Sequence, residues 1–219
     1  GARGFMGKNL RSALTGRYGD AHRLMLLDMP HTEEELLAAA AEADFVFHLA
    51  GVNRPTDPAD FQKGNADFTR QLLTLLKERG KRPPVLLSSS IQAALENPYG
   101  QSKLSAEQAV ADYGRETGSA VYLYRLPNVF GKWSRPNYNS AVATFCHNIA
   151  RGLPITVSDS ETRLTLCYID DVVDEFLRAL KGEETVGEDG LCVVPVTHTA
   201  TLGEIVDLLH QFHDQPPTL

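Results

Sequence analysis

The sequence predicts an α/β fold, a Rossmann-like doubly wound parallel sheet with a smaller C-terminal substrate lobe. Two observations predict it. Short apolar runs ending in small or polar residues alternate with longer amphipathic stretches from Leu24 to Arg125. Glycines three apart, Gly1, Gly4 and Gly7, stand at the head of the first helical pattern. Strands that alternate with helices need crossover connections, which give a parallel sheet covered on both faces.

The elements follow in order. Met6, Leu10, Ala13 and Leu14 recur at helical spacing, predicting a helix that ends near Gly16. Leu24–Asp28 reads as a buried strand ending in a carboxylate, and the Ala-, Leu- and Glu-rich Glu33–Ala43 as a helix. Phe45–Gly51 is the next buried strand, Ala59–Arg79 a helix and Val85–Ser90 an apolar strand. A helix over Tyr99–Arg115 and a strand over Val121–Arg125 complete the regular part. Beyond Gly131 the alternation loosens into a helix at Ala141–Arg151, a short strand at Pro154–Val157, and helices at Asp170–Leu180 and Leu202–Phe212. The expected organisation is a dinucleotide-binding part over 1–131 and a substrate-binding lobe over 132–212, separate or within the same domain. Residues 213–219 would be a linker to a further domain. A glycine-rich phosphate loop works when a buried strand feeds it, so a short native strand is expected ahead of Gly1.

Composition narrows the class. The formal charge of −7 argues against a general nucleic-acid binder, which needs a basic face. No apolar run approaches the ~20 residues that cross a bilayer. Cys146, Cys167 and Cys192 lack metal or disulfide spacing and read as buried apolar thiols in a reducing, cytoplasmic setting. His210 and His213 sit three apart near a polar terminus without a third ligand, so no metal site is expected.

The chemistry gathers at a few positions. In a strand–loop–helix setting, Gly1 permits a tight turn, Gly4 lets backbone reach a pyrophosphate, and Gly7 brings helix close to strand. The bland alternative is an ordinary glycine-rich turn. Asp28 lies about 20 residues on, where a carboxylate binds the adenosine ribose of a dinucleotide, or simply ends a strand. Tyr99 and Lys103, four apart on a helix, project from one face. A tyrosine ordinarily titrates near 10, and a neighbouring ammonium favours its phenolate. A tyrosine so tuned exchanges a proton with a sugar hydroxyl while hydride moves at the same carbon. Of the preceding serines, Ser90 is favoured over Ser89 as the hydroxyl that joins them, with Ser88 third, because alternation along a strand cannot point both neighbours into one cleft. His48, inside an apolar run, reads as a packed and hydrogen-bonded core residue.

With these residues in place, the sequence resembles the extended short-chain dehydrogenase/reductase family, the NAD-dependent epimerases/dehydratases. The matching pieces are the three glycines, His48–Gly51, Ser88–Ser90, Tyr99 with Lys103, Arg125–Gly131 and Tyr168–Asp171, in family order across most of the chain. The resemblance implies Ser90, Tyr99 and Lys103 as the catalytic trio, with Lys103 also holding the nicotinamide ribose. It implies Ala50, Gly51 and Pro127 beside the cofactor and Asn128 near a nucleotide sugar. A narrower likeness is to the reductase half of bifunctional capsular polysaccharide enzymes, carried by Gly51–Pro55, Ser90–Ala93, Gly131–Trp133, Asn137–Ser140 and Thr201–Asp207. It implies NADPH-dependent reduction of a nucleotide-linked 4-keto-6-deoxy sugar on the route to UDP-N-acetyl-L-fucosamine. It also implies a homodimer and a metal-binding cupin domain after the chain.

Two departures and one conflict qualify these implications. Many members hold the diphosphate with an arginine at the position of Leu164; Arg163 is one residue off, which on a strand reverses the face. Arg54, Lys132 and Arg135 are the alternatives. Family dehydratases follow the catalytic hydroxyl with Asp-Glu, whereas Ile91-Gln92 follows Ser90, which favours simple hydride chemistry. The likeness implies NADPH, but Asp28 suits the free ribose of NADH; NADP(H) has the edge. The competing functions are a 4-epimerase that keeps its NAD bound and a non-catalytic redox sensor, against which the intact Tyr99/Lys103 pair counts.

Overall fold

A computed structural model describes residues 1–215. Helix α1 (Phe5–Tyr18) leaves the glycine loop, and α2 (Glu33–Glu42) starts at a capping box in which Thr32 and Glu35 bond each other's backbone N–H. Strand β1 (Val46–His48) leads to α3 (Ala59–Phe61), a π-helical turn (Gln62–Asp67) and α4 (Phe68–Glu78). Strand β2 (Val85–Ser90), α5 (Pro98–Thr117) and β3 (Val121–Leu126) follow. Asn97 caps α5 by accepting from the Gly100 N–H at 2.8 Å, with Pro98 in the first turn; Gly118, at φ 74°, ends the helix in the left-handed region that glycine tolerates. The rest comprises β4 (Asn128–Phe130), α6 (Ala141–Ile149), β5 (Arg163–Tyr168), α7 (Ile169–Leu180), β6 (His198–Thr201) and α8 (Leu202–Asp214).

Strands β1, β2 and β3 form a parallel sheet in that order, with Val46, Val85 and Val121 in line across it. Alternation on β2 explains why both faces are covered. Leu86 packs with Leu10, Leu14, Tyr124 and Phe176 beneath α1 and α7. Val85 and Leu87 turn the other way, to Leu36, Leu76, Val110 and Tyr113 from α2, α4 and α5. The second sheet pairs β4 parallel and β6 antiparallel with β5. Phe145, Leu166 and Ile205 form a smaller core there. Helix α7 belongs to the first core, so chain beyond Gly131 shares packing with the first sheet. Among the described residues no helix is long and apolar enough to cross a membrane.

The α/β architecture and its helices stand as expected, with several differences. Leu24–Asp28 is not a strand: its Leu27 carbonyl accepts from the Gly1 and Ala2 nitrogens at 3.1 and 3.2 Å, no ladder with β1 forms, and Leu26 is exposed. Pro154–Val157 likewise forms no ladder, and only Ile155 and Val157 reach the small core. The expected Ala59–Arg79 helix contains the π turn. Strands β4 and β6 were not foreseen, being too short to display a period. Cys167 and Cys192 are buried, but Cys146 is exposed on α6, a correction to the expectation of three buried thiols. His213 and Asp214 close α8 rather than opening a linker, and residues 216–219 of that expected linker lie outside the described residues.

Candidate active site

The C-terminal ends of β1 and β2, the glycine loop and the chain after β3 border one open crevice of about 1860 Å³. Gly1, Gly4, Gly7, Asp28, Ala50, Gly51, Ser90, Tyr99, Lys103, Pro127, Asn128 and Arg135 all line it. Arg54 and Lys132, two of the expected substrate cations, do not. Arg54 is exposed outside the crevice, and Lys132 is drawn to the Asp170 carboxylate at 2.6 Å. Arg135 lies over the Tyr138 ring, 5.4 Å from its centroid. Asn128 donates to the Thr165 carbonyl at 3.3 Å.

The glycine loop has no room for a side chain at Gly1 or Gly7. A Cβ on Gly1 would sit 2.6 Å from the Leu49 carbonyl carbon, and one on Gly7 2.2 Å from the Gly1 oxygen. Backbone therefore forms the crevice floor where α1 begins, and the N–H groups and dipole of that helix favour a phosphate there. These features fit a dinucleotide. Asp28 accepts from the Arg3 and Met29 N–H groups at 2.6 and 2.9 Å. Partial burial pushes its carboxyl up, but these bonds and nearby positive charge, the Arg3 side chain included, hold it below the ordinary range. Arg3 was not singled out from the sequence. Its signal was present, a cation inside the phosphate loop.

Helix α5 carries Tyr99 and Lys103, and the end of β2 carries Ser90. Burial raises the Tyr99 phenol above its ordinary pKa near 10; the Ser90 hydroxyl beside it acts in the opposite sense, and the Tyr138 phenol adds to the rise. This corrects the expected lowering by Lys103, whose charge is directed elsewhere. Its Nζ donates to the Ser88 carbonyl at 2.9 Å, and a Cβ added to Gly51 would lie 3.4 Å from it. Burial lowers the Lys103 ammonium to about 8, against the opposing charge of Glu107. The other serines are engaged away from Tyr99: Ser88 Oγ donates to the His48 carbonyl at 3.4 Å, and Ser89 Oγ to Glu107 at 2.5 Å.

Asn65, in the π turn, was missed. Its side chain accepts from the Val52 N–H (2.8 Å) and donates to the Val52 carbonyl (3.2 Å) and Ser102 Oγ (2.9 Å). Ser102 donates in turn to the Tyr99 carbonyl at 2.7 Å, so one amide ties the loop after β1 to α5. A polar residue on the buried side of an apolar helix was the available signal. Thr69 donates to the Asn65 carbonyl at 2.5 Å, so its hydroxyl accepts from His48 Nε2 at 2.7 Å, and that nitrogen carries the proton. Burial holds the His48 ring neutral, with a pKa of about 3.

A parallel sheet covered on both faces, with a glycine loop and a tyrosine–lysine helix at one crevice, defines a dinucleotide-binding α/β protein. The chain belongs to the NAD dependent epimerase/dehydratase family, whose model matches residues 1–192. It is 44% identical, over its whole length, to a UDP-2-acetamido-2,6-beta-L-arabino-hexul-4-ose reductase of Pseudomonas aeruginosa, of which it covers 58%. The crystal structure of the capsular polysaccharide assembling protein CapF from Staphylococcus aureus matches 97% of the chain, at TM-score 0.88 and 49% identity, and the match spans 57% of that protein. The chain thus spans somewhat over half the length of these relatives. A UDP-glucose 4-epimerase from Thermotoga maritima, at TM-score 0.79 and 23% identity over 99% of the chain and 82% of its own, shares the fold.

Proposed function

We propose that the complete protein reduces a UDP-linked 4-keto-6-deoxy sugar with NADPH. The observation that carries this reading is the convergence of Ser90, Tyr99 and Lys103 on one crevice beside Gly51 and the glycine loop. The 44% identity to a hexulose reductase over the whole chain supports the substrate class. The reduced nicotinamide, when bound, supplies hydride to the carbonyl carbon. Tyr99 supplies the proton. Its raised pKa keeps the phenol protonated at neutral pH, the state a reduction must start from, and the proton goes to the carbonyl oxygen as that oxygen gains charge. Ser90 donates a hydrogen bond to the same oxygen, and Lys103, its ammonium beside Gly51, would hold the nicotinamide ribose.

Arg3, which lines the crevice next to Asp28, offers a cation to a 2′-phosphate and so supports NADPH, whereas the charge that Asp28 retains acts toward NADH. Asn128 and Arg135 stand as substrate contacts. A cytoplasmic setting, a homodimer and a following cupin domain complete the reading; the greater length of the relatives supports the last. The test follows reduced-nicotinamide absorbance with the complete protein and UDP-linked keto sugars. Consumption equal to the sugar reduced is expected, whereas sugar interconverted without net consumption would overturn the reading for an epimerase. Arg3→Ala should weaken NADPH about tenfold or more and leave NADH nearly unchanged.

A further inference from the structure

Glu107 is a carboxylate in the interior, 4% exposed, on a helix whose Tyr99 and Lys103 precede it by two turns and one. Four hydrogen bonds hold it. Arg125 Nε donates to both oxygens at 3.0 and 3.1 Å, Arg125 Nη2 to Oε2 at 2.7 Å, and Ser89 Oγ to Oε1 at 2.5 Å. Ser89 and Arg125 are neighbours in the β2–β3 ladder, so the sheet presents both donors at one place. A buried ion pair adds little net stability, since its attraction is offset by the desolvation of both ions. Its effect on neighbouring charge is larger, because the interior screens poorly.

Lys103 is the neighbouring charge. It is 5% exposed and gives its ammonium to the Ser88 carbonyl. Glu107, from its own helix, is the charge that opposes burial at Lys103; the His48 ring from β1 is near enough for the ammonium to disfavour its protonation, and Arg125 from β3 is paired with the carboxylate. We propose that Glu107 is a positioning residue for Lys103: clamped by Arg125 and Ser89 one turn beyond the ammonium, its carboxylate keeps Lys103 a cation beside Gly51. The importance of that cation for turnover rests on the reductase reading. The effect of Glu107 on it does not.

The test titrates Lys103 by NMR in the full-length protein carrying isotope-labelled lysine, with the resonance assigned from Lys103→Met. Glu107→Gln should lower the Lys103 midpoint by about one unit or more, a tenfold loss of proton affinity. The pH at which reductase turnover is lost on the alkaline side should fall with it. Glu107→Gln combined with Arg125→Met leaves no unpaired ion in the interior; it should lower the midpoint in the same direction and decides the matter if the single variant does not fold. A Lys103 midpoint equal to wild type in the folded variant overturns the proposal, and a lower melting temperature alone would make Glu107 a staple between helix and sheet. Because the titration is read without substrate, failure to reduce any keto sugar would sink the reductase reading and leave this result standing.

Discussion

Tyr99 sits where burial keeps its phenol protonated, with Ser90 beside it and Phe61 edge-on at 5.5 Å. Tyr99→Phe keeps the ring and its packing, so cofactor affinity should be nearly unchanged while turnover falls at least ~100-fold, measured by NADPH fluorescence and steady-state rates. His48 makes a prediction about pH. Its folded pKa of about 3 lies below the ordinary value of 6.5, so the unfolded chain takes up a proton that the folded ring refuses. The stability this gives is full above pH 6.5 and is lost as pH falls from there toward about 3, by several kcal/mol in order of magnitude. Urea midpoints measured across that window should fall more steeply for wild type than for His48→Gln.

Among the elements, α5 carries most of the site, and its first turn is set by close approach. A Cβ on Gly100 would lie 2.2 Å from the Gln92 carbonyl oxygen and 2.5 Å from that of Leu95, both of them backbone. Gly100→Ala must push the helix start away from the short 3-10 turn Ile91–Ala94, costing about 1–3 kcal/mol. Because Tyr99 precedes it, turnover should drop more than cofactor affinity, which comparison of kcat with the cofactor Kd measures. Strand β2 ends in three serines with three different partners, so its register against β1 and β3 decides which hydroxyl is left near Tyr99.

At the scale of the molecule, α7 joins the two parts of the chain. Phe176 is fully buried, near the Phe47 ring of the first sheet at 6.5 Å and the Tyr124 ring at 5.2 Å. Phe176→Ala should cost about 3–5 kcal/mol, read as a lowered urea midpoint. Since α7 packs against α1, whose first turn borders the crevice, loss of cofactor affinity should accompany it.

The sequence by itself determined the periodic elements: Val85–Ser90 was legible to the residue, and the helices came within a few. It also determined that Tyr99 and Lys103 share a helix face, because a four-residue spacing is a local property of the helix. The tertiary structure decided what spacing cannot carry. Asp28 meets Arg3, Ser89 turns to Glu107 because Arg125 brings the carboxylate there, and Lys103 points to the Ser88 carbonyl instead of lowering the Tyr99 pKa. Leu24–Asp28 has the apolar content of a strand, yet a strand exists only where a neighbour completes its ladder. Arg54 and Lys132 show the same division: their charge was visible in the chain, but whether it faces the crevice was settled by long-range packing and by Asp170.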